Sequence, residues 1–322
     1  MNAREHRQPA ATQGGRLRWR GVPGPRTLVI VLALVVVTAW AAAPAMRAVT
    51  LVGHWSGRGS PNARQADLPV QTVRFSAADG VHLVGWFALA SPHAPTLILV
   101  HGFKGSRSDM LPWARFLFAA GYNVLLFDDR GSGQSDDWGS ALGAREADDV
   151  VGAVRYLERR PDLTGRHFGA LGISLGAGVV LLAAAREQAL AAVVADSAWT
   201  DEHAQLDRMG GLDVGPLALP LLPYEPALVD ALIGARLEDT QPLAVIGRIA
   251  PRAVLLIHSA DDRNATTPLS GEQALYAAAG QPKAQWIAPS GGHVGALHTH
   301  PAAYQAHVLA FFAAYLGAPA AR

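Results

Sequence analysis

The chain has 322 residues, half of them apolar, with 27 Lys and Arg against 26 Asp and Glu for a net charge of +1; that length supports one sizeable core plus an appendage. Six arginines and one glutamate fall in the first 26 residues, which leaves the remainder slightly acidic and excludes a basic nucleic-acid-binding body. The absence of cysteine excludes disulfides, thiolate metal sites and a cysteine nucleophile, so any chemistry must run on oxygen and nitrogen groups.

Residues 1–26, rich in Arg, Gly, Pro and Gln, are expected to be disordered. Between Arg26 and Arg47, residues 27–46 carry no charge; as a helix rising ~1.5 Å per residue they span ~30 Å, one hydrocarbon core. This is read as a single transmembrane helix. The arginines before it outnumber Arg47, Arg58 and Arg64 after it, which places the N-terminus in the cytoplasm and the body outside. The competing reading is a secretory signal cleaved at Ala43-Pro44-Ala45, giving a secreted or periplasmic product; the uncharged stretch exceeds the usual h-region of about 7–15 residues, which favours the anchor. A buried core helix is the plainer account, but nothing beside the segment looks ready to cover it. Residues 47–69, with scattered Gly, Ser, Pro and Asn, are expected to be a linker.

A folded domain is expected over residues 70–318. Its pattern gives strands at 71–76, 81–89, 96–101, 122–127, 190–195, 253–258 and 285–288, and helices at 110–120, 144–159 and 302–316. Such βαβ alternation implies an α/β fold, a mostly parallel sheet with helices on both faces. The alternation breaks between Trp199 and Arg248 into a stretch heavy in Leu, Pro and Gly, so residues of about 200–248 are expected to form a lid insertion. Its leucines suggest an apolar pocket, or else pack only against one another.

Residues 168–181 are an apolar run that turns at Gly172-Ile173-Ser174-Leu175-Gly176 and continues as a small-residue helix. That strand-turn-helix setting of G-x-S-x-G is a nucleophile elbow, although the same pattern also occurs as an ordinary glycine-rich turn. Ser174 would stand at its tip, and Leu175 would open a helix whose free N–H groups favour an anionic oxygen. A serine hydroxyl needs a histidine to take its proton, and the histidine needs an acid to orient it. Downstream, one strand runs into Ser259-Ala260-Asp261-Asp262-Arg263 and the last into Ser290-Gly291-Gly292-His293. Asp262 and His293 are the expected acid and base, with Asp261 and Asp196 as the other candidate acids. The backbone N–H of Phe103, in His101-Gly102-Phe103-Lys104-Gly105, is expected to join that of Leu175 as an oxyanion donor. His298 and His300 lack a zinc-site spacing, and no metal or organic cofactor is expected.

His101-Gly102-Phe103, the segment Asp128-Asp129-Arg130-Gly131-Ser132-Gly133-Gln134-Ser135, the elbow, the Asp262 loop and the His293 loop together resemble the α/β-hydrolase superfamily over nearly all of residues 71–316. Within it they look like the membrane-anchored or serine-aminopeptidase-like branch. The resemblance implies an α/β-hydrolase fold and hydrolysis of esters, thioesters or amides through an acyl-enzyme. Asp129 stands where many relatives place an aromatic residue, and Ser259 where many have glycine. The expected activity is therefore a serine hydrolase acting on a small acyl ester or thioester, its acyl group apolar. Serine at the elbow argues against epoxide hydrolase or haloalkane dehalogenase chemistry, which needs a carboxylate nucleophile. Two alternatives stand beside it: a serine aminopeptidase or amidase, with Asp201, Glu202 or Glu225 meeting the substrate's amine, and a non-catalytic, membrane-tethered binding module on the same fold.

Overall fold

The computed structural model describes residues 24–53, 66–137, 139–201, 206, 212–214, 217–219 and 223–319, so Glu202 and parts of the expected linker and lid lie outside the described residues. The chain divides into two units, residues 1–42 and 43–322. In the first, helix α1 (Pro25–Val52) begins; the large apolar side chains from Leu28 to Val37 are 50–66 % exposed. By length and composition α1 is the one described helix able to cross a membrane.

In the second unit eight strands form one sheet: β1 (Val70–Ser76), β2 (His82–Ala88), β3 (Thr96–Val100), β4 (Asn123–Phe127), β5 (Phe168–Ile173), β6 (Leu190–Asp196), β9 (Ala253–Ser259) and β10 (Lys283–Ala288). A separate hairpin is made by β7 (Leu212–Val214) and β8 (Leu217–Leu219). The order in the large sheet is β1-β2-β4-β3-β5-β6-β9-β10, antiparallel at β1-β2 and β2-β4 and parallel elsewhere. Parallel strands covered on both faces are apolar throughout, and the pleat sends alternate residues to opposite layers. Thus Ile98 and Val100 of β3 join Leu125 and Phe127 on one face, with α3 (Glu146–Glu158) and α4 (Leu175–Ala184) packed there. Leu97 and Leu99 join Val124 and Leu126 on the other, under α2 (Leu111–Ala119) and the closing helix (Pro301–Leu316).

The region expected as a lid contributes α5 (Glu225–Ile233), and β9 is followed by α6 (Leu269–Ala278); the closing helix is then α7. Helix α1 runs six residues past Met46. Its last two turns are packed, not loose: Ala48 and Val52 are buried with Leu142, Leu206, Val229 and Ile233. Arg47 donates to the Leu206 carbonyl at 2.8 Å and pairs with Glu225 at 3.0 Å. Ser140 N–H donates to the Val52 carbonyl at 2.8 Å, and Gly53 bridges to Gly139. A buried valine of this kind stabilises the contact by about 2 kcal/mol.

Candidate active site

The site lies at the carboxyl ends of the parallel strands, where loops are free to carry chemistry. Ser174 joins β5 directly to α4 with φ 53° and ψ −117°, a backbone conformation unfavourable for a residue with a Cβ. Two glycines make so sharp a reversal possible: any Cβ on Gly172 would run into the Gly176 backbone, and one on Gly176 would come within 2.5 Å of the Val100 and His101 carbonyls. Ser174 N–H is held by the Asp196 carbonyl at 2.9 Å. Its hydroxyl is thereby fixed above the sheet.

His293 reaches the serine from the loop after β10. Its Nε2 lies 2.8 Å from Ser174 Oγ, and its Nδ1 lies 3.0 Å from Asp262 Oδ2 and 3.1 Å from Thr267 Oγ1. Asp262, on the loop after β9, has a fully buried side chain, and its Oδ1 accepts from Asn264 N–H at 2.8 Å. Behind it, His258 stands 3.5 Å from Oδ2. Burial pushes the pKa of His258 down against the pull of Asp262. The structure thus brings Ser174, His293 and Asp262 together.

The other two candidate acids do different work. Asp261 is exposed, and its Oδ1 accepts from Gly292 N–H at 2.8 Å, anchoring the backbone that carries His293. Asp196 is buried; its Oδ2 accepts from Tyr304 at 2.9 Å and its Oδ1 from Ser197 at 3.0 Å. Trp113 donates in turn to the Tyr304 hydroxyl at 2.8 Å, and Ser197 Oγ accepts from Val294 N–H at 3.3 Å. Burial raises the Asp196 pKa to about 6, while the hydrogen bonds from Tyr304 and Ser197 act the other way. This chain from α2 through α7 and β6 to the residue after His293 has no local sequence signal, because its members are far apart along the chain.

Phe103 and Leu175 both line a cleft beside the serine. Leu175 is the first residue of α4, so its N–H has no carbonyl one turn back to bond. Gly102 keeps the loop close: a Cβ there would stand 3.3 Å from Ser174 Cβ. Leu51 near the end of α1, Gly53 just after it and Asp129 line the same cleft. Two buried arginines hold the loop that carries Asp129. Arg130 donates to Asp79 at 2.8 and 2.9 Å and to Asp149 at 2.7 Å, and Arg107 pairs closely with Asp128.

Of the acids expected to meet a substrate amine, Glu225 is engaged with Arg47 instead. His300 Nε2 lies 3.1 Å from Ser290 Oγ, and His298 meets the edge of Trp113 with ring centroids 6.4 Å apart. Both are taken up in packing the loop after β10.

A family model described as alpha/beta hydrolase fold matches residues 95–214. The uncharacterised protein YfhR of Salmonella typhimurium is 29% identical over 242 residues, covering 70% of this chain and 75% of that protein. The uncharacterised protein YqkD of Bacillus subtilis is 31% identical over 222 residues, covering 67% and 70%. Among solved structures, the esterase Pf2001 of Pyrococcus furiosus superimposes with a TM-score of 0.67 at 22% identity, over 83% of this chain and 99% of that one. At that identity the likeness is one of fold.

Proposed function

The chain belongs to the α/β-hydrolase family, and we propose that within it this protein is a serine hydrolase that cleaves carboxylic esters or thioesters through an acyl-enzyme on Ser174. The observation that carries the reading is the continuous relay from Ser174 Oγ to His293 Nε2 at 2.8 Å and from His293 Nδ1 to Asp262 at 3.0 Å. His293 takes the serine proton as Oγ attacks the acyl carbon. The imidazolium so formed faces a buried carboxylate, which stabilises it and fixes the tautomer. Oxygen charge that develops on the substrate is met by the N–H groups of Phe103 and Leu175, each lowering the barrier by about 3 kcal/mol. His293 then returns its proton to the leaving alcohol or thiol, and water, deprotonated by the same ring, releases the acid.

Helix α1 supports a single-pass anchor with the catalytic body outside the cytoplasm: its apolar side chains from Leu28 to Val37 stand exposed, and arginines crowd its N-terminal side. Removing residues 1–42 is then expected to release the body into the soluble fraction. For the chemistry, Ser174→Ala is expected to fold normally, to lose fluorophosphonate labelling, and to lower kcat/KM on p-nitrophenyl esters by about 10⁴ or more. Full activity in that variant removes the hydrolase reading.

A further inference from the structure

On the side of His293 away from Ser174, one ring nitrogen faces two oxygens. For Nε2 to accept the Ser174 proton, the ring's own proton must sit on Nδ1. That nitrogen lies 3.0 Å from Asp262 Oδ2 and 3.1 Å from Thr267 Oγ1. In this tautomer Nδ1–H is a donor, so the Thr267 hydroxyl can only accept from it. The triad chemistry uses the carboxylate and leaves the hydroxyl without a part.

One short loop between β9 and α6 delivers both oxygens, Asp262 from its start and Thr267 from its end. Its interior is closed by its own hydrogen bonds. Asn264 N–H donates to Asp262 Oδ1 at 2.8 Å, and Thr266 N–H and Oγ1 donate to Asn264 Oδ1 at 2.9 and 2.8 Å. Thr267 N–H donates to the Asn264 carbonyl at 3.3 Å. Pro268, with φ −68°, precedes α6 and disfavours helical backbone at the residue before it. Thr267 is branched at Cβ, which leaves its side chain few rotamers, and it is 2 % exposed, so its hydroxyl stays where the loop puts it. The ring it faces is less confined, for the His293 side chain is 27 % exposed.

We propose that Thr267 is a positioning residue for the acyl transfer: its hydroxyl is a second acceptor for the Nδ1 proton of His293, and it keeps the tautomer and the ring in place after Nε2 has let go of Ser174. This rests on the reading of Ser174 as nucleophile. Once Oγ carries the acyl group it no longer anchors Nε2, which turns to the leaving group and then to water. Through that interval the ring is held by its hydrogen bonds at Nδ1. Asp262 supplies the charge there, and a hydroxyl beside it adds direction without bringing a second negative charge into a buried place.

The test measures kcat and KM on a p-nitrophenyl ester with the full-length protein. Thr267→Val, which keeps a similar shape and removes the oxygen, is expected to lose about tenfold in kcat with KM within about twofold of wild type. Thr267→Ser, which returns the oxygen, is expected to recover most of that loss. In a His293→Ala background the residual hydrolysis should be the same with and without Thr267→Val, because a residue that acts through the ring has nothing to act on once the ring is gone. Should Thr267→Val lack a cooperative urea transition, Thr267→Ala replaces it with the same expectations. The assignment is overturned by wild-type kcat in Thr267→Val, by a serine variant as impaired as the valine one, by a loss confined to KM, or by a loss that persists undiminished without His293. Under any of these outcomes the hydrolase reading stands while hydrolysis still depends on Ser174, and it fails if Ser174→Ala retains full activity.

Discussion

Asp261 and Asp262 are adjacent in sequence and divide the support of one histidine between them. Asp262 touches the ring at Nδ1, whereas Asp261 holds the Gly292 N–H just before it. Removing charge at the first should leave His293 free to adopt the wrong tautomer; removing it at the second should only loosen a loop. We therefore expect Asp262→Asn to lower kcat by about 10³–10⁴ and Asp261→Asn by about tenfold or less, measured on the same p-nitrophenyl ester. Equal losses would mean that ring orientation is governed by the backbone and not by the acid. The sequence made Ser174 and His293 legible because an elbow and a glycine-rich loop are local patterns. Between two neighbouring aspartates no local pattern decides, since the outcome depends on which carboxylate is buried. Asp129 was legible only as a departure from the aromatic residue of many relatives, with nothing to say that its carboxyl oxygens lack hydrogen-bond partners.

Elements explain why so much of the fold could be read in advance. Strands covered on both faces are short apolar runs between turns, and β3, β4, β5, β6 and β9 all have that form. Helix α5 escaped because Pro216, Pro220, Pro223 and Pro226 read as loop, although a proline in the first turn is compatible with a helix. Helix α6 escaped because Gly271 and its alanines dilute the apolar period. Contacts between elements are less legible still, as the Trp113–Tyr304–Asp196 chain illustrates. Tyr304→Phe should leave Trp113 without an acceptor and Asp196 without a donor, at a cost of about 2–4 kcal/mol. The loss should also depend on pH. With a folded pKa of about 6 against an ordinary 3.8, Asp196 binds more protons in the native state, so its contribution to stability declines as pH rises from about 4 to 6 and is flat above. Tyr304 favours the carboxylate, and its removal widens that gap. Urea unfolding at pH 5 and pH 8 should show a larger deficit for the variant at pH 8; an equal deficit would detach Asp196 from the effect.

At the scale of the whole molecule, the stretch expected as a tether begins as packed structure. Arg47, Ala48 and Val52 fix the end of α1 against α5 and the segment around Leu142, and Leu51 and Gly53 wall the cleft. Nothing in the composition of residues 47–53 announces this, because Gly, Val and Leu suit a linker as well as a wall. Replacing residues 43–53 with a Gly/Ser segment of equal length is expected to lower kcat/KM at least tenfold, whereas exchanging residues 27–42 for an unrelated apolar helix should leave it intact; identical behaviour of the two exchanges would show the wall to be dispensable. It follows that where a protease severs this chain matters as much as whether it does. On the proposed reading of α1 as an anchor and Ser174 as nucleophile, a nick before residue 43 would release the body with this wall intact, while one just after residue 53 would release it without Leu51 and Gly53. Release and silencing would then be separate outcomes of cuts barely three helical turns apart.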